Sequence, residues 1–294
     1  MLTRDLQHFI AQLEADSSLF EPHQLRKRFN ALDGLDTAFG DFALQEFPND
    51  SIHALMHRRA KTIRDRLEAV NSELYQFIRS ELKRGAQPHM IFQWIQASAY
   101  RDKTGSPAHG LAYGCEDELL SGILQLREPT EANIDLPPER MFYQPTPVRH
   151  ILQLIAASAL SESDILVDLG SGLGHVPLLA SMLTGVRSIG IEVEAPYIAS
   201  AQECAQSLCL SRVRFVQQDA RSADLSSGTV FYLYSPFTGS ILAKVLDKLH
   251  KESTRRPFKL CTLGPCTSIV AREPWLKASA PPDTAQITLF QTSF

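Results

Sequence analysis

The stretch Ile165–Leu179, ILVDLGSGLGHVPLL, decides the fold of this 294-residue chain. An apolar run ends near an aspartate, passes through three alternate glycines and continues into residues that suit a helix. The pattern predicts a strand, a tight turn and a helix, and such turns lie where open α/β sheets bind ligands. Gly170, Gly172 and Gly174 tolerate backbone angles that other residues resist, and they let a ligand approach the main chain. Asp168 lies two residues before the first glycine, where its carboxylate can face whatever the loop holds.

The spacing of the glycines separates two kinds of loop. A dinucleotide-binding loop, G-x-G-x-x-G, would place its third glycine at position 175, where this chain has His175. The stretch instead resembles motif I of the class I S-adenosylmethionine (SAM) dependent methyltransferases, an acidic residue followed by x-G-x-G-x-G. The resemblance implies SAM as cofactor, with its methionine moiety against the loop, and S-adenosylhomocysteine as product. A tight connection with no ligand is the alternative interpretation.

The pattern after the loop alternates strands with helices, as in an α/β domain. Together with the resemblance, it predicts a seven-stranded, doubly wound, Rossmann-like methyltransferase sheet. After the first strand, further strands are predicted at Val186–Glu192, Val213–Gln218, Thr229–Tyr234, Phe258–Leu263 and Gln286–Ser293, the last antiparallel, with helices at Ala195–Leu208 and Gly239–His250.

One acid ends the predicted second strand, and another follows the predicted third strand. Glu192 follows the glycines by about the 20 residues at which a carboxylate meets ribose hydroxyls, and a carboxylate accepts both hydroxyls at once. It is otherwise an acid favoured at a helix start. The resemblance places Asp219 opposite the exocyclic amine of adenine and the Ala220 amide on a ring nitrogen, although Asp219 also suits a plain turn.

The segment MFYQPTPVRHILQLI, residues 141–155, leads into the first strand. Thr146 followed by Pro147 predicts a helix start, with a cap and a first-turn proline. The resemblance implies that residues leading into this helix, among them Tyr143 and Thr146, cover the cofactor; a rigid turn is the alternative. In the loop itself, Ser171 and His175 complete the expected cofactor contacts. A helix amino terminus would keep the imidazole neutral, so His175 is either a packed first-turn residue or a proton acceptor.

The end of the fourth strand, Tyr234-Ser235-Pro236-Phe237, is the expected place of methyl transfer. Enzymes of the resembled fold that methylate amide, adenine or glutamine nitrogens carry (D/N)PP(Y/F) there, whereas this chain has Ser235 in place of Asp or Asn. Tyr234, Ser235 and Phe237 are the candidate catalytic residues, with Tyr234 also near the cofactor. Together with Tyr143, the two aromatic residues would line a channel that desolvates an amine, or they belong to the core.

A second resemblance concerns the acceptor. DLGSGLGHV is similar to the D-L-G-S-G-x-G-x-V loop of the non-SET histone-lysine methyltransferases, which also have a helical region before the catalytic fold. The asparagine that this family carries on its fourth strand is missing here. The resemblance implies a protein side-chain nitrogen as acceptor. The alternatives are an RNA or small-molecule methyltransferase on the same fold and a module that binds SAM without turnover.

The amino-terminal region is predicted to be helical. Apolar spacing predicts helices over Leu2–Leu13, Ser51–Lys83, Pro88–Tyr100 and Cys115–Leu126, with turns and short helices between the first two. We therefore predict a helical domain at residues 1–127 that recognises the substrate, a proline-bearing linker at 128–140 and the methyltransferase domain at 141–294.

The long helix carries a basic stretch, HRRAKTIRDR, from His57 to Arg66. It suits either an acidic or nucleic-acid partner or the solvated face of a helix. The absence of interleaved aromatic residues argues against base stacking.

Composition limits the remaining classes of function. A formal net charge of −4 gives no global attraction to phosphate backbones or anionic membranes. No apolar run reaches the roughly 20 residues of a membrane span, and the amino terminus does not resemble a secretory signal. The five cysteines suggest reduced thiols, so we expect a cytoplasmic protein without a metal site. The oligomeric state is left open.

Overall fold

A computed structural model describes residues 3–40, 51–98, 113–129, 143–235 and 237–292. The helices in these ranges are α1 (Thr3–Ala15), α2 (Leu25–Phe39), α3 (Ile52–Lys83), α4 (Pro88–Ser98), α5 (Cys115–Leu124), α6 (Val148–Ser158), α7 (His175–Thr184), α8 (Ala195–Ser207), α9 (Gly239–Ser253) and α10 (Cys266–Val270). The strands are β1 (Ile165–Leu169), β2 (Arg187–Glu192), β3 (Val213–Gln217), β4 (Val230–Tyr234), β5 (Lys259–Leu263), β6 (Leu276–Ala278) and β7 (Thr288–Thr292).

The seven strands form one sheet in the order β3-β2-β1-β4-β5-β7-β6. Strands β1 to β5 are parallel, and β7 pairs antiparallel with both β5 and β6. The predicted seven-stranded, doubly wound sheet with its antiparallel closing strand is therefore confirmed. Because β1 lies between β2 and β4, its carboxyl end is the point where the strand order reverses, and ligands bind at such points.

The alternation of side chains along the strands produces two cores. On β4, Val230 and Tyr232 pack on the face covered by α6, α7 and α8, whereas Phe231 and Leu233 pack on the opposite face with α9. The central strands are buried on both faces, which explains their nearly continuous apolar sequences.

The helical region joins the sheet domain through one of these cores. The second half of α3, together with α4 and α5, shares the core of α6 and α7, whereas α1, most of α2 and the first half of α3 enclose a separate cluster. Residues 130–140 of the predicted linker lie outside the described residues, so the division into domains stays a prediction.

The region between the first two predicted helices contains a short 3₁₀ helix at Ser17–Phe20, as expected, but α2 is longer than the short helices predicted there. It continues through Asp33 and Gly34, although glycine disfavours a helix interior. Phe9 of α1 packs so close that a Cβ on Gly34 would lie 2.8 Å from its ring. Burial of Arg28, whose Nε donates to Asn71 Oδ1 at 2.6 Å, adds a second tertiary contact that the turn-like composition did not reveal.

Helix α3 confirms the long predicted helix, and Ser51 caps it by accepting the Ala54 amide at 3.1 Å. Its basic stretch has partners within the chain. Arg59 pairs with Glu14 of α1 at 2.5 Å, Arg64 pairs with Asp36 of α2 at 3.1 Å, and Arg66 lies 4.3 Å from the centre of the Phe20 ring. These contacts favour a role in packing α3 against its neighbours over a face for nucleic acid.

None of the helices in the described ranges has the length and apolar character that a membrane crossing requires.

Candidate functional site

The glycine loop joins β1 to α7 at the centre of the sheet. Gly170, Gly172 and Gly174 have φ angles of +86°, +52° and +83°, a region that residues with a Cβ rarely adopt. The amides of Gly170 and Ser171 donate to the Ile191 carbonyl at 2.8 and 3.0 Å, which holds the loop against the end of β2. The loop thus has the conformation that the sequence pattern predicts.

Glu192, at the end of β2, binds the loop from the side. Its Oε2 accepts the Gly172 amide at 3.0 Å, while Oε1 accepts the amides of Val193 and Glu194 at 2.7 and 3.1 Å. A carboxylate offers about four lone-pair sites, so these three bonds leave room for one hydroxyl donor. Its ribose role stays a prediction.

Asp168 and Ser171 are buried polar groups beside the loop. Burial first, and the Glu192 carboxylate second, raise the pKa of Asp168 well above its usual value. The Ser171 hydroxyl is buried and finds no hydrogen-bond partner among the described residues. Buried hydroxyls rarely lack a hydrogen-bond partner, and a buried carboxylate is rarely left without a compensating charge. A cationic ligand that also forms hydrogen bonds would therefore suit both side chains.

Tyr143 lies over the loop, where the resemblance places a covering residue. Its hydroxyl is 3.0 Å from His175 Nδ1, its ring centre is 5.0 Å from that of Tyr197, and a Cβ on Gly172 would overlap its ring. Burial lowers the pKa of His175 to about 4, so the imidazole is neutral near pH 7. Burial is the cause of this lowered pKa, and His175 begins α7, as predicted. A ligand on this face has to displace the Tyr143 ring or lie beside it.

The start of α6 corrects the prediction that Thr146 caps this helix. Pro147 is the N-cap residue, and the Thr146 hydroxyl instead lies 3.1 Å from the Tyr232 hydroxyl on β4. The cap comes from α5, because Asp117 Oδ1 accepts the Val148 amide at 2.7 Å. Thr146 therefore connects the segment entering α6 with the centre of the sheet.

Asp219 follows β3, as predicted, but its carboxylate already has partners. It accepts Nε and Nη2 of Arg221 at 2.9 and 2.7 Å, and the Arg221 amide at 2.9 Å. Adenine would have to compete with this ion pair or share the carboxylate with it. Ala220 is buried beside Asp219, and the adenine assignment stays a prediction.

Ser235 adopts an unusual backbone conformation after β4, with φ at +40°. Its hydroxyl donates to the Leu263 carbonyl at 3.2 Å and accepts the Cys266 amide at 3.0 Å. These bonds tie the end of β4 to the turn after β5, so the hydroxyl acts within the protein fold. Pro236 lies outside the described residues.

The expected channel of three aromatic residues is not assembled. Phe237 is buried in the core beside α9, whereas Tyr234 packs on the opposite face of the sheet. Burial first, and the nearby Tyr113 second, raise the pKa of Tyr234 to about 12. The Tyr234 hydroxyl is buried without a hydrogen-bond partner among the described residues.

A cavity of about 290 Å³ separates the glycine loop from the helical region. Tyr113, Asp117, Glu118 and Glu128 line one side, and Leu173 and His175 line the other. Sequence reasoning did not find the first four, because the fold alone brings them to a loop more than 40 residues away. In the described ranges, no group of three or more His, Cys, Asp or Glu residues is placed to hold a metal ion.

Comparison with known families gives one match. Residues 140–228 match the family described as "Histone methylation protein DOT1". The matched segment contains the glycine loop, Glu192 and Asp219, which confirms the resemblance seen in motif I. Comparison with curated proteins gives no match.

Solved methyltransferases are similar at low scores. An RNA methyltransferase from Salinibacter ruber, solved with S-adenosyl-L-homocysteine, is 25% identical over 51% of this chain and 92% of its own, with a TM-score of 0.41. The human methyltransferase 10 domain containing protein is 19% identical over 60% of this chain and 93% of its own, also with a TM-score of 0.41. Such scores establish no shared function, so the assignment depends on the strand order and the family match.

Proposed function

Taking as premise that this chain is a SAM-dependent methyltransferase with a DOT1-type segment at residues 140–228, we propose that it methylates a nitrogen of a protein side chain. The observation that carries the proposal is the family match, because the description of the family names a protein, a histone, as the molecule methylated. The match covers the residues that would hold the cofactor and not the helical region, so it supports the type of acceptor without identifying the protein.

The loop and its neighbours would hold the cofactor in distinct ways. The bare backbone of the glycines would admit the methionine moiety, with the Asp168 carboxyl and the Ser171 hydroxyl as polar partners. Glu192 would receive a ribose hydroxyl on its remaining lone-pair site. Asp219 and Ala220 would receive adenine once the Arg221 pair rearranges.

SAM supplies a methyl group that is already activated by its sulfonium, so the chain mainly has to align the acceptor and exclude water. Tyr143, over Gly172, is placed to exclude water from the loop. Because His175 has a lowered pKa and its Nδ1 lies 3.0 Å from the Tyr143 hydroxyl, we assign it the positioning of Tyr143 rather than the acceptance of a proton. Tyr234, at the end of β4, has a hydroxyl with no hydrogen-bond partner among the described residues, and this oxygen would receive an N–H of the acceptor.

Two experiments test the proposal in sequence. Calorimetric titration with SAM should show binding to the full chain, and the absence of binding with any candidate acceptor present would refute the cofactor. Methyl-labelled SAM should then label macromolecules in a fractionated lysate. Loss of the label after protease treatment is expected, whereas loss after ribonuclease treatment would refute the protein acceptor. SAM binding without labelling would favour a non-catalytic module.

A further inference from the structure

The residues that lead into α6 divide into an accessible part and a buried part. Residues 143–145 are half-buried or exposed, whereas residues 146–148 are buried. We call residues 143–145 the covering segment, because the ring of Tyr143 lies over Gly172 of the glycine loop. An accessible stretch opens more readily than a buried one, so the covering segment is the part that can move, with Thr146 as its fixed end.

The buried part is fixed by Asp117 of α5. Its Oδ1 accepts the Val148 amide and its Oδ2 accepts the Gly114 amide, each at 2.7 Å. One carboxylate thus serves the starts of both α5 and α6, a place where the two helix dipoles favour negative charge. Asp117 therefore holds the start of α6 against α5 and leaves the covering segment to be held by other contacts.

Tyr113 holds the covering segment from the side of the helical region. Its hydroxyl donates to the Pro145 carbonyl at 2.8 Å, between residues 32 positions apart in the chain. Pro145 has a fixed φ angle and also restricts the residue before it, so the covering segment bends little within itself. A stiff segment transmits the position of the Pro145 carbonyl to Tyr143, two residues away. The hydrogen bond therefore fixes the place of the Tyr143 ring.

The cavity beside the glycine loop also borders the covering segment. Tyr113, Pro145 and Thr146 line it, together with Leu173 and His175. Its volume of about 290 Å³ gives the covering segment room to move once the hydrogen bond from Tyr113 opens, whereas a closely packed segment would have none.

We infer that the Tyr113 hydroxyl is a latch that keeps the covering segment closed over the glycine loop and thereby sets how fast SAM and S-adenosylhomocysteine leave. The inference rests on the proposed function and deepens it, because it assigns cofactor release to a residue of the helical region. Tyr113 acts through the Tyr143 ring and not on the reacting atoms, so it is a positioning residue. Product has to leave in every turnover, and the opening of a covering element limits the rate of many enzymes.

The test measures the dissociation of methyl-labelled SAM from the full chain after addition of excess unlabelled S-adenosylhomocysteine. Tyr113→Phe removes only the hydroxyl, and the loss of its hydrogen bond should speed dissociation by roughly two- to thirteenfold. Tyr75→Phe is the matched control in the helical region. The Tyr75 hydroxyl is buried with no hydrogen-bond partner among the described residues, so its removal should leave the dissociation rate unchanged.

A double-mutant cycle tests whether Tyr113 acts through Tyr143. Tyr143→Ala removes the covering ring and should itself speed dissociation. In that background Tyr113→Phe should have no further effect, because the latch then holds no ring over the loop. Equal acceleration by Tyr113→Phe in both backgrounds would show that the hydroxyl acts elsewhere and would overturn the latch.

Thermal unfolding of the same proteins separates the latch from a merely structural bond. A lower Tm with an unchanged dissociation rate in Tyr113→Phe would overturn the latch and leave the proposed function intact. Equal acceleration in Tyr75→Phe, or failure of Tyr113→Phe to fold, would overturn it as well, because the effect would then belong to the helical region in general. Absence of SAM binding by the unaltered chain would instead refute the proposed function, and the latch with it.

Discussion

Asp168 shows how a single residue is placed for a ligand at the expense of stability. Its pKa is raised because burial, and then Glu192, disfavour the charged form. A raised carboxyl pKa means that ionisation at neutral pH destabilises the folded chain, and stability increases as the pH falls through the folded-state pKa. The fold alone therefore disfavours the charged form of this carboxyl.

The substitution Asp168→Asn should stabilise the chain and weaken SAM binding. The neutral amide removes the buried charge, and each kcal/mol gained raises Tm by roughly 2–4 °C in a protein of this size. SAM affinity should fall about ten- to hundredfold, as expected for a lost charge-assisted hydrogen bond. Calorimetry gives both quantities.

Asp164→Asn is the matched control, since this carboxylate precedes the same strand but has partners. The Thr229 hydroxyl donates to Asp164 Oδ1 at 2.8 Å, and the Ser161 hydroxyl donates to Oδ2 at 2.9 Å. Its substitution should lower Tm and leave SAM affinity unchanged. A lower Tm for Asp168→Asn would contradict our account of that residue.

His175 should make the stability of the chain depend on pH. Its folded-state pKa of about 4 lies below the unfolded value near 6.5, so the unfolded chain binds more protons between these pH values. The contribution of His175 to the free energy of unfolding is fully present above pH 6.5 and is lost as the pH falls towards 4. At pH 5 about 2 kcal/mol of it is lost. Urea unfolding gives the free energy of unfolding of the unaltered chain and of the His175→Asn variant at each pH. The difference between the two proteins isolates the contribution of His175, because both contain Asp168. An identical pH profile for the two proteins would rule out the buried neutral imidazole.

At the scale of elements, the glycine loop and Tyr143 form one unit. Gly172→Ala should lower the free energy of unfolding more than Gly85→Ala, although both positions have a positive φ. A Cβ at Gly85 meets nothing within 4 Å, whereas a Cβ at Gly172 overlaps the Tyr143 ring. We expect a loss in the free energy of unfolding of about 1–2 kcal/mol from the positive φ alone, at either position. The overlap with Tyr143 should add roughly 1–3 kcal/mol at Gly172.

A double-mutant cycle isolates the overlap. In a Tyr143→Ala background the cost of Gly172→Ala, measured by urea unfolding, should fall to that of Gly85→Ala. Equal costs in both backgrounds would mean that Tyr143 does not pack on the loop.

Elements whose patterns are local were predictable from the sequence. The loop between β1 and α7 and the 32-residue helix α3 depend on spacing within the segment itself. Helix α2 was missed because contacts with Phe9 override the glycine in its middle. Strand β6 has three residues, too few for a period to show.

The site follows the same rule. Asp168, Glu192 and Asp219 were found because each lies within two residues of the end of a strand. The occupation of Asp219 by Arg221 and the capping of α6 by Asp117 depend on side-chain geometry and tertiary packing, which no spacing encodes. The cavity was missed for the same reason.

At the scale of the whole molecule, the helical region and the sheet share a core, and this affects what a truncation can show. Removing residues 1–112 should prevent folding, and not merely alter the choice of substrate. The deletion takes away buried side chains of the shared core, among them Tyr75, Ile78, Leu82, Ile91 and Ile95. At about 1.5–3 kcal/mol each, their loss amounts to roughly 8–15 kcal/mol, which matches the whole stability of a typical domain.

Removal of residues 1–16 is the control, because α1 packs in the separate cluster around Ile10 and Leu35. This shorter deletion should leave a folded chain that binds SAM, whereas the longer one should show no cooperative thermal transition and no SAM binding. Circular dichroism and calorimetry on the same preparations measure both properties. If the chain beginning at residue 113 melted cooperatively and bound SAM, the shared core would be dispensable, and the sheet domain would be an independent unit to which the helical region is attached.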